Sequence, residues 1–325
     1  MTHDSYFFFS IILNCLLIFF NKKISHIYNT FDIPDKTRKT HKIKTPLLGG
    51  LIILLNIIFF YFYFYSENKE THSTIFVLGC LIFFLFGYID DKKNLNANLK
   101  LILQTLFLFF YFSYNQDLII NNFYLSFLKK YVFLSSFSIF FSIFCFLLFI
   151  NSINMFDGIN LQVGFYSLFI LLFLFFKINN DLIPPIIFAL FFFLILNFNN
   201  RSFLGNNGSY LLGFIISYFF TVGGNIFSAE QIFLVMLIPG LDMLRVAVLR
   251  VINKKHPFSP DRNHLHHLLL SKFQFYKTFI IIQLLVILPV VLDNFLNNKF
   301  TIFFVINSVI SYIIIIYFFT SKKFK

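Results

Sequence analysis

The chain has 325 residues, is 58% hydrophobic with 55 phenylalanines and no tryptophan, and only 12% of its residues are charged. About half apolar is ordinary for a soluble domain, so this composition excludes a water-soluble fold and predicts an all-α, polytopic integral membrane protein. The net charge of +12 then reads as basic loops on the cytoplasmic side and not as a nucleic-acid surface.

Eleven apolar windows follow one another, at roughly 6–20, 47–65, 74–89, 99–114, 131–150, 161–176, 182–196, 210–222, 232–252, 279–292 and 300–319. Each is read as a transmembrane helix, with ten the alternative count. The first has no small-residue cleavage site behind it and is expected to be a retained helix, not a signal peptide. Cys15, Cys80 and Cys145 sit inside such windows and give neither a disulfide framework nor a CxxC metal spacing. With the N-terminus outside and the spans alternating, only Lys69, Lys129, Lys130, Lys177 and Lys299 of the 26 Lys and Arg fall on the outer side. That asymmetry supports the orientation, an odd span count and a cytoplasmic C-terminus. A single transmembrane domain over 1–325 is expected. The one longer outer stretch, 115–130, is read as a short interfacial helix or hairpin.

The motif-like polar stretches all fall on the inner side. The first, 32–50, carries Arg38, Lys39 and His41 ahead of Pro46 and Gly49-Gly50; it is either a phosphate or head-group contact or ordinary positive-inside charge. The third window ends in Asp90-Asp91, followed by Lys92 and Lys93. Carboxylates at the mouth of a membrane helix are suspected of function, the alternative being a plain helix end in water. Lys100 and Gln104 share a helix face, where the lysine either meets a phosphate or snorkels to the surface.

Three amides and a carboxylate, Asn151, Asn154, Asp157 and Asn160, punctuate the next inner stretch around Gly158. They are oxygen ligands of the kind magnesium takes, or turn formers between helices. Gly205-Asn206-Asn207-Gly208-Ser209 precedes the eighth window and reads as an anion cradle at a helix N-terminus or as a serine N-cap. The last inner loop follows Asp242, Arg245 and Arg250 and holds Asp261-Arg262-Asn263-His264-Leu265-His266-His267, imidazoles able to donate to a diphosphate or bind metal.

In this order, these motifs resemble the polyprenyl-phosphate N-acetylhexosamine-1-phosphate transferases of glycosyltransferase family 4. The likeness runs from about residue 30 to 270. The His-x-His-His form resembles the GlcNAc-1-phosphate branch, which starts O-antigen, enterobacterial common antigen and teichoic-acid linkage synthesis; the peptidoglycan phospho-MurNAc-pentapeptide transferases carry three consecutive histidines.

The resemblance implies a phosphotransferase of the bacterial inner membrane, with its active site facing the cytoplasm. A polyprenyl (undecaprenyl) phosphate would attack the β-phosphorus of a UDP-N-acetylhexosamine and UMP would leave. Catalysis in such a transfer is mainly positioning and charge neutralisation. Asp90 or Asp91 would take or hold the lipid phosphate's proton, and Asp157 completes the catalytic set. Arg38, Lys39, His41, Lys100, Asn151, Gly205, Ser209, Arg262, His264, His266 and His267 would bind substrate. Mg²⁺, with Mn²⁺ as the alternative, would take Asn154, Asp157, Asn206 and Asp91. Asn206 stands where the family usually has an aspartate ligand, and Asn160-Leu161 replaces a second Asp-Gly pair, which implies a weaker hold on the metal. Membrane lipids are the other expected partners, and a homodimer is allowed. The alternatives are the peptidoglycan transferase and a non-catalytic nucleotide-sugar binder or transporter on the same scaffold.

Overall fold

The computed structural model describes residues 3–33, 44–64, 71–257 and 261–321. It is 78% helical with almost no sheet, and each of the eleven apolar windows holds one helix. In chain order the elements are α1 (His3–Phe19), α2 (Asn21–Tyr28), β1 (Phe31–Asp32), β2 (Thr45–Pro46), α3 (Gly49–Phe64), α4 (Thr71–Lys93), α5 (Ala97–Tyr114), β3 (Asn122–Leu125), β4 (Lys130–Phe133), α6 (Ser138–Phe156), α7 (Gln162–Ile178), α8 (Ile183–Phe198), α9 (Gly205–Gly223), α10 (Ala229–Ile252), α11 (Leu265–Leu270), α12 (Phe275–Phe295) and α13 (Thr301–Ser321).

Six helices among the described residues are long and apolar enough to cross a membrane, and a seventh candidate appears if α1 and α2, bent by 72°, count as one span. α3, α7 and α8 are shorter apolar helices. Their outward faces are greasy: along α13, Ile302, Phe303, Ile306, Ile310, Ile313, Ile314, Tyr317 and Phe318 are all exposed. An apolar rim of that extent is tolerated only in lipid, so the chain is a multi-pass helical membrane protein.

The window at 131–150 needs correction at its start. Tyr131-Val132-Phe133 forms strand β4, paired antiparallel with β3 through Tyr124↔Tyr131 and Phe123↔Val132, and α6 begins only at Ser138. β-Branched and aromatic residues satisfy a hydropathy window and a strand equally well. The 115–130 stretch therefore leads into a hairpin, whose turn is held by the Glu230 carboxylate accepting from the Ser126 and Phe127 amides at 3.1 and 3.4 Å.

The contacts sort into two compact units. The first comprises residues 1–96 and 163–218. In it α3 packs on α1, α4 and α8, and two adjacent prolines open α8 where their missing N–H groups cost nothing. A buried amide pair ties α1 to α3: Asn14 Nδ2 donates to Asn56 Oδ1 at 2.8 Å, and Asn56 Nδ2 returns a bond to Asn14 Oδ1 at 3.1 Å. The Phe214 ring of α9 stacks on Phe83 and Phe76 of α4. The second unit comprises residues 97–162 and 219–325. There α10 is the central helix, contacting α6, α12 and α13. It starts at a capping box, in which Ser228 Oγ accepts from the Gln231 amide and Gln231 Oε1 accepts from the Ser228 amide.

Candidate active site

In the first unit the C-terminal end of α4 meets the N-terminal end of α9. Helix α4 continues to Lys93, so Asp90 and Asp91 are both helical and diverge by about 100° around its axis. Asp91 turns to α9: its Oδ1 accepts from the Asn206 amide at 2.9 Å, and its Oδ2 accepts from the Asn207 amide at 3.1 Å and from Asn207 Nδ2 at 2.6 Å. A carboxylate is the natural occupant of a helix N-terminus, where exposed N–H groups and the dipole favour negative charge. The anion cradle expected at Gly205–Ser209 is thus taken by the chain's own Asp91. Gly205 opens it at φ 74°, a left-handed conformation that glycine adopts without steric cost. Ser209 is fully buried, and its hydroxyl donates to the Asn206 carbonyl at 3.4 Å.

Asp90 is 1% exposed. Its Oδ1 accepts from the Leu95 amide at 3.0 Å and its Oδ2 from the Tyr210 hydroxyl at 3.2 Å. Two close approaches hold this corner together. A Cβ on Gly50 would come within 2.2 Å of Asn207 Oδ1, and one on Gly87 within 2.3 Å of the Asn206 carbonyl oxygen. Arg38, Lys39 and His41 lie outside the described residues.

The second unit holds the expected amides, carboxylate and histidines. Asn151 ties two helices, its Nδ2 donating to Gln104 Oε1 at 2.9 Å and to the Leu147 carbonyl at 2.8 Å. Lys100, half-buried, lies one turn before Gln104 on α5. Asp157 ends α6, its amide bonding back to the Ile153 and Asn154 carbonyls. Negative charge opposes the dipole at a helix C-terminus, so Asp157 is not there to stabilise α6. Gly158 follows, and the His266 ring lies against it so closely that a Cβ would come within 2.0 Å of Nε2.

The histidine loop is fastened from α10. Asp242 accepts from Arg245 Nη2 at 2.8 Å, His264 Nδ1 at 2.8 Å, the Leu265 amide at 3.1 Å and the Tyr312 hydroxyl at 2.9 Å. Arg245 Nη2 also donates to the Asn263 carbonyl at 2.6 Å. Arg250 donates through Nε to Asp261 Oδ2 at 2.6 Å and through Nη1 to the Pro257 carbonyl at 2.6 Å, and its Nη2 lies 3.2 Å from His264 Nε2. Both ring nitrogens of His264 are therefore engaged within the protein, which makes it a strut of the loop. Burial works against ionising Asp261, but hydrogen bonds from Arg250 and the Asn263 amide hold it below the usual carboxylate range.

His266 stacks parallel on His264, with centroids 5.7 Å apart, and touches His267 with centroids 4.2 Å apart. Burial pushes the His266 imidazole down to about 3, the repulsion of His267 and His264 adding to it and Asp242 opposing. At neutral pH His266 is an uncharged donor and acceptor and not a cationic clamp. Arg262 is exposed and His267 half-buried.

Among the described residues no three His, Cys, Asp or Glu side chains gather as a metal-holding group. Of the four expected ligands, Asp91 already accepts three N–H bonds, and Asn154 and Asn206 offer oxygen without charge. Asp157, half-buried at the end of α6, is the remaining carboxylate. Within the second unit, Asp157 and Asn154 near the end of α6 are too few to cage an ion by protein alone and are oxygen donors of the kind magnesium takes together with phosphates.

Tyr210 and Tyr312 belong to no motif in the sequence. Each lies within an apolar run, and only packing reveals the hydroxyl on a carboxylate.

A model of glycosyl transferase family 4 matches residues 73–224. The undecaprenyl-phosphate alpha-N-acetylglucosaminyl 1-phosphate transferase of Thermotoga maritima is 28% identical, across 84% of this chain and 82% of that protein. Its namesake in Escherichia coli K12 is 26% identical, across 83% and 77%. The probable undecaprenyl-phosphate N-acetylglucosaminyl 1-phosphate transferase of Bacillus subtilis is 25% identical, across 77% and 72%. The matched stretch carries Asp90, Asp91, Asp157 and Asn206, and the relatives extend the likeness to glycosyl transferase family 4 beyond it.

Proposed function

We propose that the protein transfers N-acetylglucosamine 1-phosphate from its UDP-sugar to undecaprenyl phosphate, releasing UMP and leaving the lipid-diphospho-sugar that starts a cell-surface polysaccharide. The relatives' names support both substrates. The observation that carries the reading is the Asp157-Gly158 turn lying against His266. A carboxylate facing the helix dipole and an uncharged imidazole beside it suit metal-diphosphate recognition better than fold stability.

Asp157, with the Asn154 carbonyl, would hold magnesium jointly with the substrate diphosphate. The ion's part, when bound, is to offset charge on the phosphates as UMP departs. His266 would hold a phosphate or sugar oxygen through its one N–H, while Arg262 and His267 screen the diphosphate from outside the loop. Asp90 would accept the proton of the lipid phosphate, and the Tyr210 hydroxyl would orient its carboxylate. Asp91 would act through α9, setting the place of Asn206 at its first turn. Lys100 would balance the lipid phosphate. The positive-inside asymmetry supports placing these groups on the cytoplasmic side of the inner membrane, with all eleven helical windows crossing.

The test is UMP release by purified protein given undecaprenyl phosphate, Mg²⁺ and a panel of UDP-sugars that includes UDP-GlcNAc and UDP-MurNAc-pentapeptide. Release with UDP-GlcNAc, lost in Asp157→Ala, is the expected result. Release with the pentapeptide substrate alone, or with none, sinks the reading.

A further inference from the structure

The C-terminal helix lies outside the stretch that the family model matches, yet one of its side chains reaches the fastening of the histidine loop. Tyr312 is 4% exposed on α13. Its hydroxyl donates to Asp242 Oδ1 at 2.9 Å and accepts from Arg245 Nε at 2.7 Å. It thereby closes a ring of three groups, since Arg245 Nη2 also bonds Asp242 at 2.8 Å.

From that ring the contacts lead one way. Asp242 Oδ2 fixes His264 through Nδ1, and Asp242 also takes the Leu265 amide. The fixed His264 ring carries the parallel His266 ring, with an interplanar angle of 3°. His266 in turn lies on Gly158, next to Asp157. Asp242, His264 and His266 are each less than a tenth exposed. A buried carboxylate with this many donors is strongly coupled to them, because losing one donor leaves charge to be shared among fewer bonds.

We infer that Tyr312 is a positioning residue for the phospho-sugar transfer, holding His266 against the Asp157-Gly158 turn through Asp242 and His264. Tyr312 touches no reacting atom in this scheme. It sets the angle at which Asp242 presents its second oxygen to His264, and through the stacked rings the place of His266. The kinetic part rests on the reaction proposed above; the structural part does not.

Two measurements test it. The first is hydrogen–deuterium exchange of the full-length protein in detergent, comparing wild type with Tyr312→Phe. That substitution keeps the ring and removes only the hydroxyl. Exchange should quicken in the peptide containing the Leu265 amide and stay unchanged in the β3–β4 hairpin. Unchanged exchange at 261–268 overturns the inference.

The second is a double-mutant cycle on kcat/KM per folded molecule. Tyr312→Phe should cost about tenfold, the size expected for one hydrogen bond to a charged group. The same change made in a His266→Ala background should cost almost nothing further, because groups acting through one another are not additive. A merely structural tyrosine would instead lower both backgrounds equally, and that additive result overturns the inference. If wild type turns over no UDP-sugar, the proposed reaction fails, and the exchange comparison alone decides whether Tyr312 places the loop.

Discussion

At the scale of single residues, the adjacent aspartates have separate partners. Asp91 places both oxygens on the first turn of α9, whereas the contacts of Asp90 include the Leu95 amide and the Tyr210 hydroxyl. Asp91→Ala should therefore lower stability by about 1–2 kcal/mol, the cost of losing a helix N-cap, seen as a lower unfolding midpoint by circular dichroism in detergent. Asp90→Asn keeps the shape and an acceptor oxygen, and should leave that midpoint nearly unchanged while removing turnover. An unaltered midpoint in Asp91→Ala, or full turnover in Asp90→Asn, would contradict the division. The doublet itself was legible in the sequence, because two carboxylates interrupt an apolar run. Their separate partners were not: neighbours on a helix point about 100° apart, and which direction meets α9 is decided by packing.

At the scale of elements, α3, α4 and α9 depend on glycine where they meet. At Gly50 an added methyl would press on Asn207 Oδ1 at 2.2 Å and on the Gly208 amide at 2.6 Å. One of those neighbours is backbone and cannot swing aside. Gly50→Ala should cost about 1–3 kcal/mol through overpacking and displace Asn207 from Asp91, so folded yield and turnover should fall together; normal values of both would show that the contact is soft. The positions of the helices were readable from apolar density alone, but the start of α6 was misplaced because Tyr131-Val132-Phe133 suits strand and span alike. Tyr312 was illegible for a related reason. In the run 312–319 nothing marks the tyrosine as buried until α13 is seen against α10.

For the whole molecule, the charge asymmetry makes a claim that element boundaries do not. If the spans alternate from an outer N-terminus, the α12–α13 turn is external and the loop after α10 is cytoplasmic. With Cys15, Cys80 and Cys145 replaced by alanine, Lys299→Cys in sealed right-side-out vesicles should react with a membrane-impermeant maleimide. Lys254→Cys should react only after the vesicles are opened. Both positions are exposed, so the reverse pattern would mean the opposite orientation. The order of motifs along the chain was enough to point to the family whose model matches residues 73–224, since each stretch ends or begins a helix. The ligand set was less readable: the sequence offered Asp91 as a ligand, and the fold gives its oxygens to α9.

In the proposed transfer the sugar moves together with its phosphate. Supplying UDP-GlcNAc labelled with ³²P at the β-phosphate, together with undecaprenyl phosphate and Mg²⁺, and extracting the lipid product tests this most directly. The label should enter the organic phase with the sugar while unlabelled UMP stays in water; label remaining in the water as UDP would overturn the proposed transfer.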